Sequence, residues 1–286
     1  MHIEREMIHI KLRVYIIALV ILAASGLALT ASCVGLDRNS KAEQTSPTVE
    51  ATSPPETEPP ETAPPLIDEP ALCEYVVYDE PITKYGAIDY QDAITYYIDQ
   101  LKIECDSGKY TDNAISEMTA EISRMEDIHN KLQKDIDRFT RWEEEYYYAA
   151  TTWQYLRLNG YSEEVSAGII GNMMVETSGG TLSLNPTIYG GNYYGLCQWS
   201  LYYKPYMDGK TFEEQLEFLH SDMPTEFNSF GKCYYRGFTY DDFLAMDDPS
   251  EAAYAFAKVY ERCASFSYNW RKSCARKAYE YFTSEG

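Results

Sequence analysis

The segment that most limits what this chain can fold into runs from Ser162 to Gly180, SEEVSAGIIGNMMVETSGG. Ser162 sits where an N-cap belongs, and Glu163 and Glu164 fall in the first turn, where the helix dipole favours negative charge. Val165, Ile169 and Met173 recur every four residues with Ile170 and Met174 beside them, so a broad face is apolar. Ala167, Gly168 and Gly171 leave room for another element to come close. Ser178-Gly179-Gly180 is a C-terminal stop. A helix like this turns a broad apolar face to the rest of the fold, and it carries one acid in its last turn, Glu176.

Apolar neighbours and the negative end of the helix dipole both disfavour an ionised Glu176, so its pKa is expected to rise towards that of a general acid. The plainer reading is a solvated helix-end glutamate, the usual fate of such a residue. The following loop weakens that reading. From Thr177 to Met207 there is no Asp or Glu, in a chain that has 45. Gly190, Gly191 and Gly195 permit tight turns or close approach to a ligand. Tyr189, Tyr193, Tyr194 and Trp199 offer flat faces with a polar edge. Gln198 can donate to and accept from sugar hydroxyl or acetamide groups. Some of these aromatics must be core.

Glu176-Thr177-Ser178 followed by Gly195-Leu196-Cys197-Gln198 resembles the catalytic Glu and Gly-hydrophobe-x-Gln pair of soluble lytic transglycosylases and goose-type lysozymes. The fuller pattern AGIIGN…E…YGLCQWS is most similar to phage tail lysozyme-like domains of the lysozyme superfamily. The likeness spans about Tyr147 to Phe282 and includes Tyr260-Glu261-Arg262. It implies a mainly α fold: a lysozyme-like domain with a small irregular or β loop region. It also implies that Glu176 is the general acid/base, with Gln198, Tyr193, Tyr194, Gly195 and Trp199 lining the substrate cleft. The substrate implied is peptidoglycan, cut between N-acetylmuramic acid and N-acetylglucosamine.

Glycosidases of either stereochemical outcome normally use two carboxylates. Where the goose-type pattern often has an Asp two residues after the Gln, this chain has Ser200. Lytic transglycosylases need one acid only, because the muramic C6 hydroxyl attacks. Asp208, Glu226 and Glu261 are the candidates for a second carboxylate. Glu261 leads them through its place in Tyr-Glu-Arg, although a helix glutamate paired with a neighbouring base is its plainer reading. The other class of function is a wall-binding or assembly module of the same fold without catalysis.

Lys11 and Arg13 precede an apolar run, Val14 to Ala31, ending in Leu29-Thr30-Ala31-Ser32-Cys33. A basic start, an apolar middle and small residues before a cut site describe an export signal. The end resembles a bacterial lipobox, which would leave Cys33 lipidated. An uncleaved membrane helix is the alternative. The expected divisions are residues 1–33 as signal or anchor, 34–84 as linker, 85–146 as helical stalk and 147–286 as catalytic domain. The linker is Pro, Thr, Ser and Glu with three Pro-Pro pairs. It is too poor in apolar residues to fold, and as polyproline II it spans about 3.1 Å per residue.

In the stalk, Ile115, Ile122, His129 and Ile136 share one heptad position, and Met118, Met125, Leu132 and Phe139 the other. Tyr90, Ile94, Tyr97 and Leu101 mark a shorter helix, broken from the long one at Ser107-Gly108. A helical hairpin and a dimeric coiled coil fit equally, so self-association or a protein partner is open. His129 reads as a packing residue. Further helices are expected over Phe212–Met223, Tyr240–Met246, Pro249–Tyr260 and Ser273–Tyr281, the third capped by Asp248.

A net charge of −21 argues against nucleic acid as a partner. Without Cys33, six cysteines remain, an even number that suggests disulfides in an exported chain. Cys197 with Cys263 is one guess at a pairing. A cysteine peptidase would need Cys197 and His220, and nothing orients that histidine. No H-E-x-x-H or His pair points to a metal, and no cofactor is expected.

Overall fold

The computed structural model describes residues 64–70, 72, 76–235 and 237–284. The apolar run, Cys33 and most of the Pro-rich segment lie outside the described residues. Among the described residues no helix is long and apolar enough to cross a membrane.

The elements are α1 (Lys84–Asp106), α2 (Asp112–Leu158), α3 (Glu163–Thr177), β1 (Tyr193–Tyr194), β2 (Trp199–Ser200), α4 (Phe212–Tyr234), α5 (Tyr240–Leu244), α6 (Pro249–Phe256) and α7 (Tyr268–Thr283). A π-helical turn, Ala257–Glu261, continues α6, and 3-10 turns occupy Pro205–Met207 and Ser265–Ser267. The fold is mainly α, with one two-stranded antiparallel hairpin that pairs Tyr193 with Ser200 and Tyr194 with Trp199.

Two units can be told apart. One contains residues 89–130 and the described residues up to Asp79; the other contains residues 80–88 and 131 onward. In the first, Ile94, Tyr97, Ile98 and Leu101 of α1 are buried, as are Met118, Met125 and Ile128 of α2. Gln91 Nε2 donates to the His129 carbonyl at 3.3 Å. Tyr90 and Arg124 hold the carbonyls of Val77 and Val76.

In the second unit α3 is the central element, with eleven of its fifteen residues buried. Its glycines explain why. A Cβ on Gly168 would stand 2.7 Å from Ala252 Cβ of α6, and one on Gly171 would stand 2.5 Å from the Ala275 nitrogen of α7. Two helices therefore press backbone to backbone on α3. Ser162 caps its start by accepting from Val165 N, and the backbone N–H of Ser178 and of Gly180 donate to Met174 O at its end.

Asp248 caps α6 through Ser250 N and Glu251 N, and Thr211 with Glu214 forms a capping box on α4. Helix α4 runs past Pro224 to Tyr234, eleven residues beyond the sequence expectation, because Phe227 and Gly231 continue its buried face. At the far end Trp153 stacks on Phe282 at 4.8 Å, and Trp142 meets the same ring edge-on at 5.1 Å.

Candidate active site

Asn172 and Glu176 are four residues apart, so α3 presents them one above the other on a single face. Arg271, on the first turns of α7, meets both. Its Nη1 donates to Asn172 Oδ1 at 2.9 Å, its Nη2 donates to Glu176 Oε1, and its Nε reaches Ser267 Oγ at 3.2 Å. Asn172 is itself fixed, since its Nδ2 donates to the carbonyls of Gly168 and Ala253. Arg271 is 3% exposed, whereas the Glu176 side chain is 19% exposed. The guanidinium is thus built into the core, and the carboxylate stands at its edge.

The second carboxylate comes from the π turn. Tyr260 and Arg262 both anchor to α4. Tyr260 Oη donates to Asp222 Oδ2 at 3.1 Å and accepts from Trp199 Nε1 at 3.0 Å. Arg262, at a left-handed φ of 50°, donates to Glu226 Oε2 at 2.6 Å. Lys204 joins Asp222 and Glu226 from the other side. The flanks of Tyr-Glu-Arg are therefore committed to α4, and the middle residue is left to Glu176, Arg271 and the Cys197 thiol.

Oε1 of Glu261 is closed off from solvent and takes no hydrogen bond. Burial first, and the neighbouring Glu176 charge second, push its pKa up to about 8, against the opposing pull of Arg271. The sequence argument placed a perturbed acid at Glu176. It did not foresee Arg271 against that carboxylate, nor that burial lifts Glu261. Of the bases near Glu261, Arg262 is paired with Glu226, and Arg271 is the one that faces Glu261.

The loop residues divide in two. Tyr193 is 49% exposed. Tyr194 and Trp199 are buried, and their polar atoms are spent on Lys210 O and Tyr260. Gly195 has φ +80°, and a Cβ there would meet Gln215 Oε1 at 2.3 Å. Gln198, at φ 45°, donates through Nε2 to the carbonyls of Gly195 and Ile188 at 2.9 and 3.2 Å. Its side chain thus ties the loop to itself. Gln215 of α4, wholly buried, joins Leu196 N, Pro186 O and Lys210 O.

Asp208 accepts from Tyr189 Oη at 2.7 Å, and the cations on Glu226 hold its carboxyl below the usual range despite burial. Neither competes with Glu261 for the place beside Glu176. The expected disulfides are not formed among the described residues: Cys105, Cys197, Cys233, Cys263 and Cys274 are free. Cys197 faces Glu261, and Cys263 meets Ala257 O and Ser267 Oγ. Burial pushes the Cys197 thiol well up, while His220 Nδ1 is engaged with Tyr161 Oη at 2.8 Å, so Cys197 and His220 form no thiolate–imidazole pair. No cluster of three metal-ligating side chains occurs among the described residues.

Arg271, Asn172 and Gln215 were missed from the sequence. Only Asn172 had a signal, a polar residue four positions before Glu176 in an otherwise apolar helix.

A central buried helix ending in an acid, a small hairpin loop beside it and a helical surround define a lysozyme-like domain. Residues 147–282 match the family described as phage tail lysozyme, which supports a phage tail lysozyme-like domain in this part of the chain. That family points to a glycosidase acting on peptidoglycan, and hence on a cell wall. No curated protein and no solved structure matches the chain.

Proposed function

We propose that the domain cleaves the β-1,4 bond between N-acetylmuramic acid and N-acetylglucosamine, with Glu176 as general acid/base. The observation that carries this is the Glu176 carboxylate, partly exposed at the end of a buried helix and oriented by a buried arginine. Glu176 gives a proton to the leaving glycosidic oxygen as the bond to C1 breaks. The muramic C6 hydroxyl then attacks C1, its proton returns to Glu176, and a 1,6-anhydro product leaves. Glu261 supports this route over hydrolysis, because its closed-off Oε1 is poorly placed to activate a bulk water. Its role is to share the charge and proton of the site with Glu176. Tyr193 offers a contact to the sugars, and Gln198, Tyr194, Gly195 and Trp199 shape the loop that presents it. Residues 14–33 would tether the enzyme outside the membrane, through Cys33 or the apolar run itself.

The test is to incubate the full chain and its Glu176→Gln variant with peptidoglycan and weigh the muropeptides. Anhydromuramic products, one water lighter and made only by the parent, support the reading. Reducing-end products mean a hydrolase, with Glu261 the next residue to replace. The ion pair on Glu176 favours a second reading, a wall-binding module without catalysis. Binding to sacculi with no products from several wall types would establish it.

A further inference from the structure

Segment 262–270 joins the two sides of the carboxylate cluster, with Glu261 just before it and Arg271 just after it. Phe266 lies midway and is 90% exposed; Trp270 is 47% exposed. They are four residues apart across the 3-10 turn and the first turn of α7, so they share one face. Ser267 and Arg271, offset by one residue, share the adjacent face and are buried: Arg271 Nε donates to Ser267 Oγ on the way to Glu176. The turn that points its polar pair inward at the acid thus points an aromatic pair outward beside it.

Trp270 is also held in place. Its Nε1 lies 2.7 Å from where a Cβ on Gly180 would sit, and Gly180, at φ +87°, closes the end of α3 four residues after Glu176. Cys274, one turn further along α7, meets the Gly180 carbonyl on the same side. Any residue but glycine at 180 would collide with the indole. The indole is thereby positioned relative to the acid by one backbone contact.

We infer that Phe266 and Trp270 form an aromatic wall that stacks on a pyranose ring of a β-1,4-linked N-acetylated amino-sugar chain next to the bond cut at Glu176. The inference rests on the glycan-cleaving reading above. Apolar CH groups on one face of such a ring suit a flat aromatic surface, and its hydroxyl and acetamide edges suit a polar rim. The rim supplies exposed Ser265 and Asn269. The charged neighbours are already paired: Arg262 with Glu226, and Lys272 with Glu251. An uncharged aromatic strip on a chain of net charge −21 has no attraction for an anionic lipid surface. A neutral saccharide face fits it better.

The experiment uses the full chain carrying Glu176→Gln, so that binding is read without turnover. It is titrated with β-1,4 N-acetylglucosamine tetramer and hexamer, following tryptophan fluorescence and calorimetry. Adding Phe266→Ala or Trp270→Ala is expected to weaken binding about tenfold each, the equivalent of about 1.4 kcal/mol. Tyr85→Ala, removing an exposed aromatic outside the segment, is expected to leave it unchanged. In the active parent the same substitutions should raise KM on soluble glycan strands and change kcat little. Circular dichroism melting confirms folding of each variant.

If the parent cuts peptidoglycan but both wall variants bind and cut as it does, the wall is overturned and the glycosidase reading stands. If the variants instead lose retention on phosphatidylglycerol vesicles and keep their glycan affinity, the patch is a membrane contact and the inference fails. A Glu176→Gln chain that binds neither oligomer nor sacculi, from a parent that cleaves nothing, sinks both.

Discussion

Two carboxylates meet at the end of α3, and they are kept in opposite ways. Glu176 comes from a regular helix, stands partly in solvent and has Arg271 as its partner. Glu261 comes from a π turn, has an oxygen shut away from solvent without a hydrogen bond, and is pushed up to about 8. The difference shows how one cation can serve two acids: Arg271 ties down the exposed carboxylate, and burial makes the closed-off one hold its proton above the usual carboxylate range. Turns of π type are frequent at functional sites. Here the turn carries Glu261, while Tyr260 and Arg262 stay bound to α4.

The largest effect expected from breaking this contrast is on turnover. Glu176→Gln should lower the rate of muropeptide release by about 10²–10⁴-fold. Equal loss from Glu176→Gln and Glu261→Gln would make the two acids equivalent and end the comparison.

Next in size is the loss of their shared cation. Arg271→Ala leaves two carboxylates facing each other and the Asn172 Oδ1 without its donor, and should cost about 3–5 kcal/mol in urea unfolding. A cost under about 1 kcal/mol would mean that Arg271 is a surface-type partner despite its burial.

The contact that brings α3 to Arg271 can be tested separately. Gly171→Ala puts a Cβ against the backbone of Ala275 and should destabilise by about 1–3 kcal/mol, with turnover falling as Glu176 moves from Arg271. Unchanged stability would show that α7 can retreat.

The smallest effect concerns Glu261 alone. Its folded pKa, about 8, lies above its ordinary value of 4.5, so the native state holds the proton more tightly than the unfolded chain. Its contribution to stability is complete below about pH 4.5 and is lost as pH rises through about 8. Melting temperature should therefore decline over that window, and Glu261→Gln should flatten the decline. A parent and variant with parallel pH profiles would remove Glu261 from the proton-holding role.

The helical frame was legible because its signals are local. Ser162 and Asp248 cap where side-chain oxygens sit one turn before an apolar run, and Gly168 and Gly171 announce close approach without naming the partner. Glu176 stood out as the acid that closes an apolar helix just before thirty-one residues without Asp or Glu. Helix α4 was read too short, because Pro224 looks like an end when only the local chain is considered. Buried Phe227 and Gly231 outweigh the one hydrogen bond that proline removes. The loop residues Tyr194 and Trp199 looked like sugar platforms, since composition cannot tell an exposed aromatic from one whose hydroxyl or N–H is consumed inside.

By itself the sequence determined the amphipathic and buried helices, their caps, the acid-poor loop and the likeness that marks Glu176. These depend on neighbours within a turn or two, and every residue needed to read them is adjacent in the chain. Tertiary structure decided the partners. Arg271 is 95 residues from Glu176, and Tyr260 is 61 from Trp199. Which charge faces which, which oxygen loses water and which aromatic stays outside depend on how α6 and α7 close on α3, and no local pattern encodes that.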